Sequence, residues 1–161
     1  MKTYTLDDVA VLIDKVNKYD DEIINFGTAE DAPDDVWIKR AEETLGLQFT
    51  SSYKSFLKNY GGGEIGCEEI FSIYNASFED HPAGDIVHKN LYHRKHGFAT
   101  LEQLVVNRTD FGETFYFDYT QFQDGECPLY VEIPSGASHY YASNFYEFLC
   151  KRIKEHAGED L

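Results

Sequence analysis

Cysteine is scarce, and the devices that depend on it are excluded with it. The chain has three, Cys67, Cys127 and Cys150, an odd number with no C-x-x-C spacing. A disulfide framework and a thiolate zinc cluster need more, so reduced thiols in a cytoplasmic protein are expected. Basic residues are the second shortage: 14 Lys and Arg stand against 29 Asp and Glu, a formal net charge of −15. A surface that grips phosphate must supply cations, so direct binding of nucleic acid or of an anionic membrane is disfavoured. No apolar run approaches the ~20 residues of a membrane span. The opening residues, Met1-Lys2-Thr3-Tyr4-Thr5-Leu6-Asp7-Asp8, turn acidic before any apolar stretch, so no signal peptide is expected. Linkers and repeats are also missing, which predicts a single domain over 1–161.

Aromatic residues are plentiful, with 12 Tyr and 12 Phe in 161 residues. A chain of this length buries about two-thirds of the surface it exposes when unfolded. It needs neither disulfides nor metal for a core.

The apolar spacing predicts helices first. Thr5 and Asp8 form a capping-box pattern before the stripe Leu6, Val9, Ile13, Val16. Residues 25–35 read as a polar loop. A second helix over 33–45 turns Trp37, Ile38, Ala41 and Leu45 inward and stops at Gly46. A third, capped by Thr50 or Ser51, carries Tyr53, Phe56, Leu57 and Tyr60 and stops at Gly61-Gly62-Gly63. Strands are predicted over 69–74, 101–106, 114–120, 127–133 and 139–141. Residues 75–98 read as a polar, histidine-rich loop with a helical piece at 85–95. A last helix begins at Ser143 or Asn144 and buries Phe145, Phe148, Leu149 and Ile153. The class is α+β: N-terminal helices, a mostly antiparallel sheet, and a C-terminal helix packed on it.

No motif points to catalysis. Gly61-Gly62-Gly63-Glu64-Ile65-Gly66 spells G-x-G-x-x-G, but a helix precedes it and a strand follows, the reverse of a dinucleotide site. His93-x-x-His96 could place two imidazoles on one helical face, with Asp80 or Asp85 nearby. A metal needs three or four ligands, and Lys89, Arg94 and Lys95 oppose a cation there. No metal, cofactor or catalytic residue is assigned.

Charge distribution says more. No Lys or Arg occurs between Lys58 and Lys89, or between Arg108 and Lys151. In 114–120 the alternation sets Tyr116 and Asp118 opposite Phe115, Phe117 and Tyr119. Tyr130 and Glu132 pair similarly on the next strand, opposite Leu129, Val131 and Ile133. A face mixing carboxylates with tyrosines suits a basic protein partner. It is also what a solvated face in a merely soluble acidic protein looks like.

Two stretches, Trp37-Ile38-Lys39-Arg40-Ala41-Glu42-Glu43-Thr44-Leu45-Gly46 and Ser52-Tyr53-Lys54-Ser55-Phe56-Leu57-Lys58-Asn59-Tyr60-Gly61-Gly62-Gly63, resemble the SUKH superfamily. Glu69-Ile70-Phe71-Ser72-Ile73-Tyr74 and Asp124-Gly125-Glu126-Cys127-Pro128 extend the resemblance over about 33–153. Phe49-Thr50 stands where Leu-Pro is usual, and Thr50 can cap the helix that proline would start. The resemblance implies an α+β fold, no enzymatic activity, and the role of an immunity protein that neutralises a cognate toxin, with a basic nuclease as the expected partner. The alternative it leaves is a regulatory or scaffolding module of the same fold. The contact residues expected on this reading are Tyr116, Asp118, Tyr130 and Glu132. Glu64, Glu68, Glu69, Glu79, Asp80, Asp124 and Glu126 are expected to supply steering charge and rim contacts. The protein is expected to be a monomer or a weak homodimer.

Overall fold

The computed structural model of the chain describes residues 2–74 and 84–158. The first helix, α1 (Leu6–Asn17), opens on the expected capping box: Thr5 Oγ1 accepts from the Asp8 N–H, and the Asp8 carboxylate accepts from the Thr5 N–H. Val9, Leu12 and Val16 are its buried face, with Ile13 only partly covered. Helix α2 (Asp35–Leu45) ends on Gly46 in the left-handed conformation. Helix α3 (Ser51–Tyr60) is capped by Thr50, whose side chain accepts from the Tyr53 N–H. Helix α4 (Ile86–Lys95) starts at Asp85, which accepts from the His88 N–H at 2.9 Å. The last helix, α5 (Phe145–Ala157), is capped by Asn144 through the Glu147 N–H and packs against α1 and α3.

The strands form two antiparallel sheets. The first has the order β1 (Ile24–Phe26), β2 (Gly63–Ile65), β3 (Glu68–Ile70). The second is a meander of β4 (Gln103–Arg108), β5 (Thr114–Asp118), β6 (Leu129–Glu132) and β7 (Ser138–Ala142). They adjoin where β3 meets β4. The Phe71 N–H donates to the Val106 carbonyl at 2.8 Å, and Asn107 Nδ2 donates to the Glu69 carbonyl at 2.8 Å. Helix α4 closes the flank of β4 with one side chain. Asn90 Nδ2 donates to the Val105 carbonyl at 2.9 Å while its Oδ1 accepts from the Val105 N–H at 2.7 Å.

The core is an aromatic cluster between α3, α5 and the inner face of the second sheet. Tyr53, Phe56, Phe117, Phe145 and Phe148 are fully buried, and their rings meet edge-on, tilted or stacked. Burying each phenylalanine contributes about 1.5–3 kcal/mol relative to an exposed position. The Tyr53 hydroxyl donates to the Phe71 carbonyl at 2.6 Å, so the core contains a satisfied polar contact at the junction of the sheets.

Three local expectations shift. The loop at 25–35 contains β1 and a 3-10 turn, Ala29–Asp31. Strand β1 pairs with β2, which begins at the last glycine of the run, and a Cβ at Gly63 would sit 2.2 Å from the Asn25 carbonyl oxygen. That contact is non-local, so the period of 25–35 carries no trace of it. The strand at 114–120 stops at Asp118, whose side chain caps a 3-10 turn, Tyr119–Gln121. The strand at 69–74 is Glu68–Ile70, because Phe71 and Ser72 turn to bond with Val106 and Gly84.

Candidate functional site

Pleating sorts β5 into two faces. Phe115 and Phe117 enter the core, while Thr114, Tyr116 and Asp118 take the other side of the sheet, where Tyr116, expected as a contact residue, is itself buried. Register then builds an outer face: Tyr116 lies opposite Tyr130, Thr114 opposite Glu132, and across the next ladder Tyr130 opposite Tyr140 and Glu132 opposite Ser138. The Tyr116 and Tyr130 rings stack with centroids 6.1 Å apart, and Tyr130 meets Tyr140 edge-on at 5.9 Å. Exposure rises along this row from 8% at Tyr116 to 58% at Tyr140.

The rings are held by hydrogen bonds. The Tyr116 hydroxyl donates to Ser138 Oγ at 3.0 Å. Gln121 Nε2 reaches both the Tyr130 hydroxyl oxygen at 3.0 Å and Asp118 Oδ2 at 2.9 Å. Partial burial opposes the Asp118 charge, but the bonds from Thr120 and Gln121 outweigh it and hold the carboxyl below its usual range. Side chains ordered in this way lose little further freedom on binding.

The other expected residues are dispersed. Glu68 is only 10% exposed and is engaged inside the fold. Arg152 Nη2 donates to its Oε1 at 2.7 Å, and His156 Nε2 donates to the same oxygen. Arg152 also pairs with Glu155 and lies over the Phe115 ring at 4.7 Å. The Glu126 carboxylate accepts from the Ser52 N–H at 2.7 Å and from Ser52 Oγ at 2.8 Å, in the first turn of α3. Burial pushes its carboxyl up, against these bonds. Glu64 faces Glu69 across β2 and β3. Burial raises Glu69, the Tyr74 hydroxyl bonded to it at 3.1 Å opposes the rise, and Glu64 adds to it. Asp124 is exposed at a tight turn with Gly125, both at positive φ, the pairing an Asp-Gly hairpin turn requires. Glu79 and Asp80 lie outside the described residues.

Tyr116, Asp118, Tyr130 and Glu132 therefore share one face. Tyr140 joins them and was missed. Its signal was its place on the strand at 139–141, which pairs across Pro134-Ser135-Gly136 with the strand that carries Tyr130.

A second concavity, about 620 Å³, opens between α4, β3 and the turn from β4 to β5. Residues 75–83 lie outside the described residues; the helical piece expected at 85–95 is α4, and His93 on it is not solvated. It is 4% exposed, and its Nδ1–H donates to the Lys89 carbonyl at 2.6 Å. Burial pushes its pKa down, so the ring is neutral at pH 7. His96 is exposed at the end of the helix. Among the described residues no three His, Cys, Asp or Glu side chains converge as metal ligands. Two thiols are inert as nucleophiles at neutral pH: burial pushes Cys127 up to about 12 and Cys150 to about 11. No helix among the described residues is long and apolar enough to cross a membrane.

A family model described as SMI1-KNR4 cell-wall, of the SUKH type, matches residues 35–149. The match runs from the first residue of α2 into α5 and includes both candidate surfaces.

Proposed function

The chain belongs to the SMI1-KNR4 cell-wall family of the SUKH superfamily, and from that premise we propose that it is an immunity protein. It binds and neutralises a cognate toxin, a basic nuclease domain, and catalyses nothing itself. The observation that carries this reading is the outer face of the second sheet. There Tyr116, Tyr130 and Tyr140 form a contiguous row flanked by Asp118 and Glu132. Rigid tyrosines give contact area at low entropic cost, and they are enriched where binding energy concentrates. Carboxylates on a chain of net charge −15 attract a cationic nuclease cleft and speed its capture. An interface of ~1,600 Å² in total is enough for such a complex, and nuclease–immunity pairs reach the ceiling of non-covalent affinity.

The test uses any toxin-like product found to be encoded beside this gene. Co-expression should rescue cells from it. Association followed by stopped flow should slow by at least about ten-fold between low and high salt, as steered encounters do. Tyr130→Ala or Tyr140→Ala should weaken binding by about 2 kcal/mol or more, the range of interface hot spots. Salt-independent association, or both variants binding like the parent, would refute the reading. The family's cell-wall description favours one other reading, a scaffolding module. It predicts a stable protein partner and no rescue from any toxin.

A further inference from the structure

The cleft beside α4 shares no residue with the tyrosine face, and unlike that face it presents cations. Lys89 and Arg108 line it, with Phe71 packed under the lysine, whose Nζ lies 5.8 Å from the ring centroid. Among the described residues neither cation has a carboxylate within 4.0 Å, although the chain carries 29 acids. His93 stands between them as a wall residue. Its Nδ1–H is given to the Lys89 carbonyl, which leaves Nε2 as an acceptor. That nitrogen is buried without a partner among the described residues. At the mouth Tyr92 is half exposed. Phe111, 82% exposed, sits on the turn between the lining residues Asp110 and Gly112.

We propose that this cleft is a second docking site and takes an acidic, aromatic-bearing peptide segment of a partner protein. A carboxylate of that segment lies between Lys89 and Arg108, and its apolar side chains cover Tyr92 and Phe111. The volume, about 620 Å³, is in the range of sites for ligands far larger than one small anion. The walls also carry Glu69 and Asp110, which repel a free dianion but accept from peptide N–H groups. A peptide brings the acid, the donors and the apolar side chains together. A partner held here is distinct from a basic toxin held on the tyrosine face, so this site stands or falls independently of the immunity reading.

The experiment is a titration of the full chain, isotope-labelled for NMR, with a ten-residue peptide of alternating glutamate and phenylalanine. Its lysine-for-glutamate counterpart and inorganic phosphate are the other arms. The acidic peptide should shift the amide signals of residues 88–93 and 108–112 and leave those of 129–132 in place. Arg108→Glu and Lys89→Glu should each weaken it about ten-fold or more, since a desolvated charge pair has become a repulsion. Arg108 is exposed, so its variant folds and decides the matter should Lys89→Glu not fold. Three results would overturn the proposal. The lysine peptide could shift the same signals equally, phosphate alone could reproduce the shifts, or the Arg108→Glu variant could bind like the parent.

Discussion

Replacing Arg152 alone should cost far more than replacing Arg152 and Glu68 together. Both side chains are nearly sealed from water, at 7% and 10% exposure, and Arg152 Nη2 lies 2.7 Å from the Glu68 carboxylate. Arg152→Met strands an ionised carboxylate in that site. Breaking one side of a buried pair costs about 3–5 kcal/mol. His156 still contacts the same oxygen, which places the expectation near the lower end, about 3 kcal/mol. In Arg152→Met/Glu68→Leu no charge is stranded. The losses that remain are the contact with Glu155 and the guanidinium over Phe115, together about 1–2 kcal/mol. Urea unfolding followed by far-ultraviolet circular dichroism and by the single tryptophan, Trp37, measures all four corners of the cycle. The coupling should be at least about 1 kcal/mol, and Arg152→Met should lower Tm by roughly 6–12 °C. A cost below 1 kcal/mol for the single variant, or a double variant equal to the sum of the singles, would show that water reaches this pair and that the reasoning is wrong.

Tyr53→Phe removes the hydroxyl that satisfies the Phe71 carbonyl and should cost about 1–3 kcal/mol, read by urea melts with an unchanged m-value. Gly84→Ala would set a Cβ 1.4 Å from Glu69 Oε1 at φ +85, whereas Gly97→Ala meets nothing within 4 Å at φ +74. The first should destabilise by at least about 1 kcal/mol more than the second, since both share the backbone strain of about 1–2 kcal/mol and only one displaces a carboxylate. Burial raises the Glu69 carboxyl above its unfolded value, so its ionised form opposes folding, and stability from this group grows as pH falls through the folded value. Glu69→Gln should therefore raise Tm relative to the parent at pH 7, with the gap closing as pH is lowered toward 4.5. A gap that widens instead would reverse the sign of the argument.

The helices were legible because their signals are local. Thr5 with Asp8, Thr50 with Tyr53, and Asn144 with Glu147 lie within three residues of each other, and all three caps form. The outer face was legible for a similar reason: period-two alternation fixed which side of the sheet Tyr116 and Asp118 occupy. What stayed hidden was set by distant partners. Nothing near Glu68 announces Arg152, which lies 84 residues away, and nothing near Glu126 announces Ser52. A carboxylate count therefore overstates how much charge is free to attract a partner. Helix α4 was legible as a piece at 85–95, but its polar letters hid the buried face formed by Ile86, Val87, Asn90 and His93.

The side-chain amide of Asn90 also limits how the protein can assemble. Where the outer strand of a sheet shows free main-chain groups, another copy of the same molecule can add itself, and then another. At Val105 both groups are already taken by one residue of the same chain. The sheet is thus stopped there without being lengthened, which closes one route into fibres. Asparagine suits the position because its side chain offers a donor and an acceptor together.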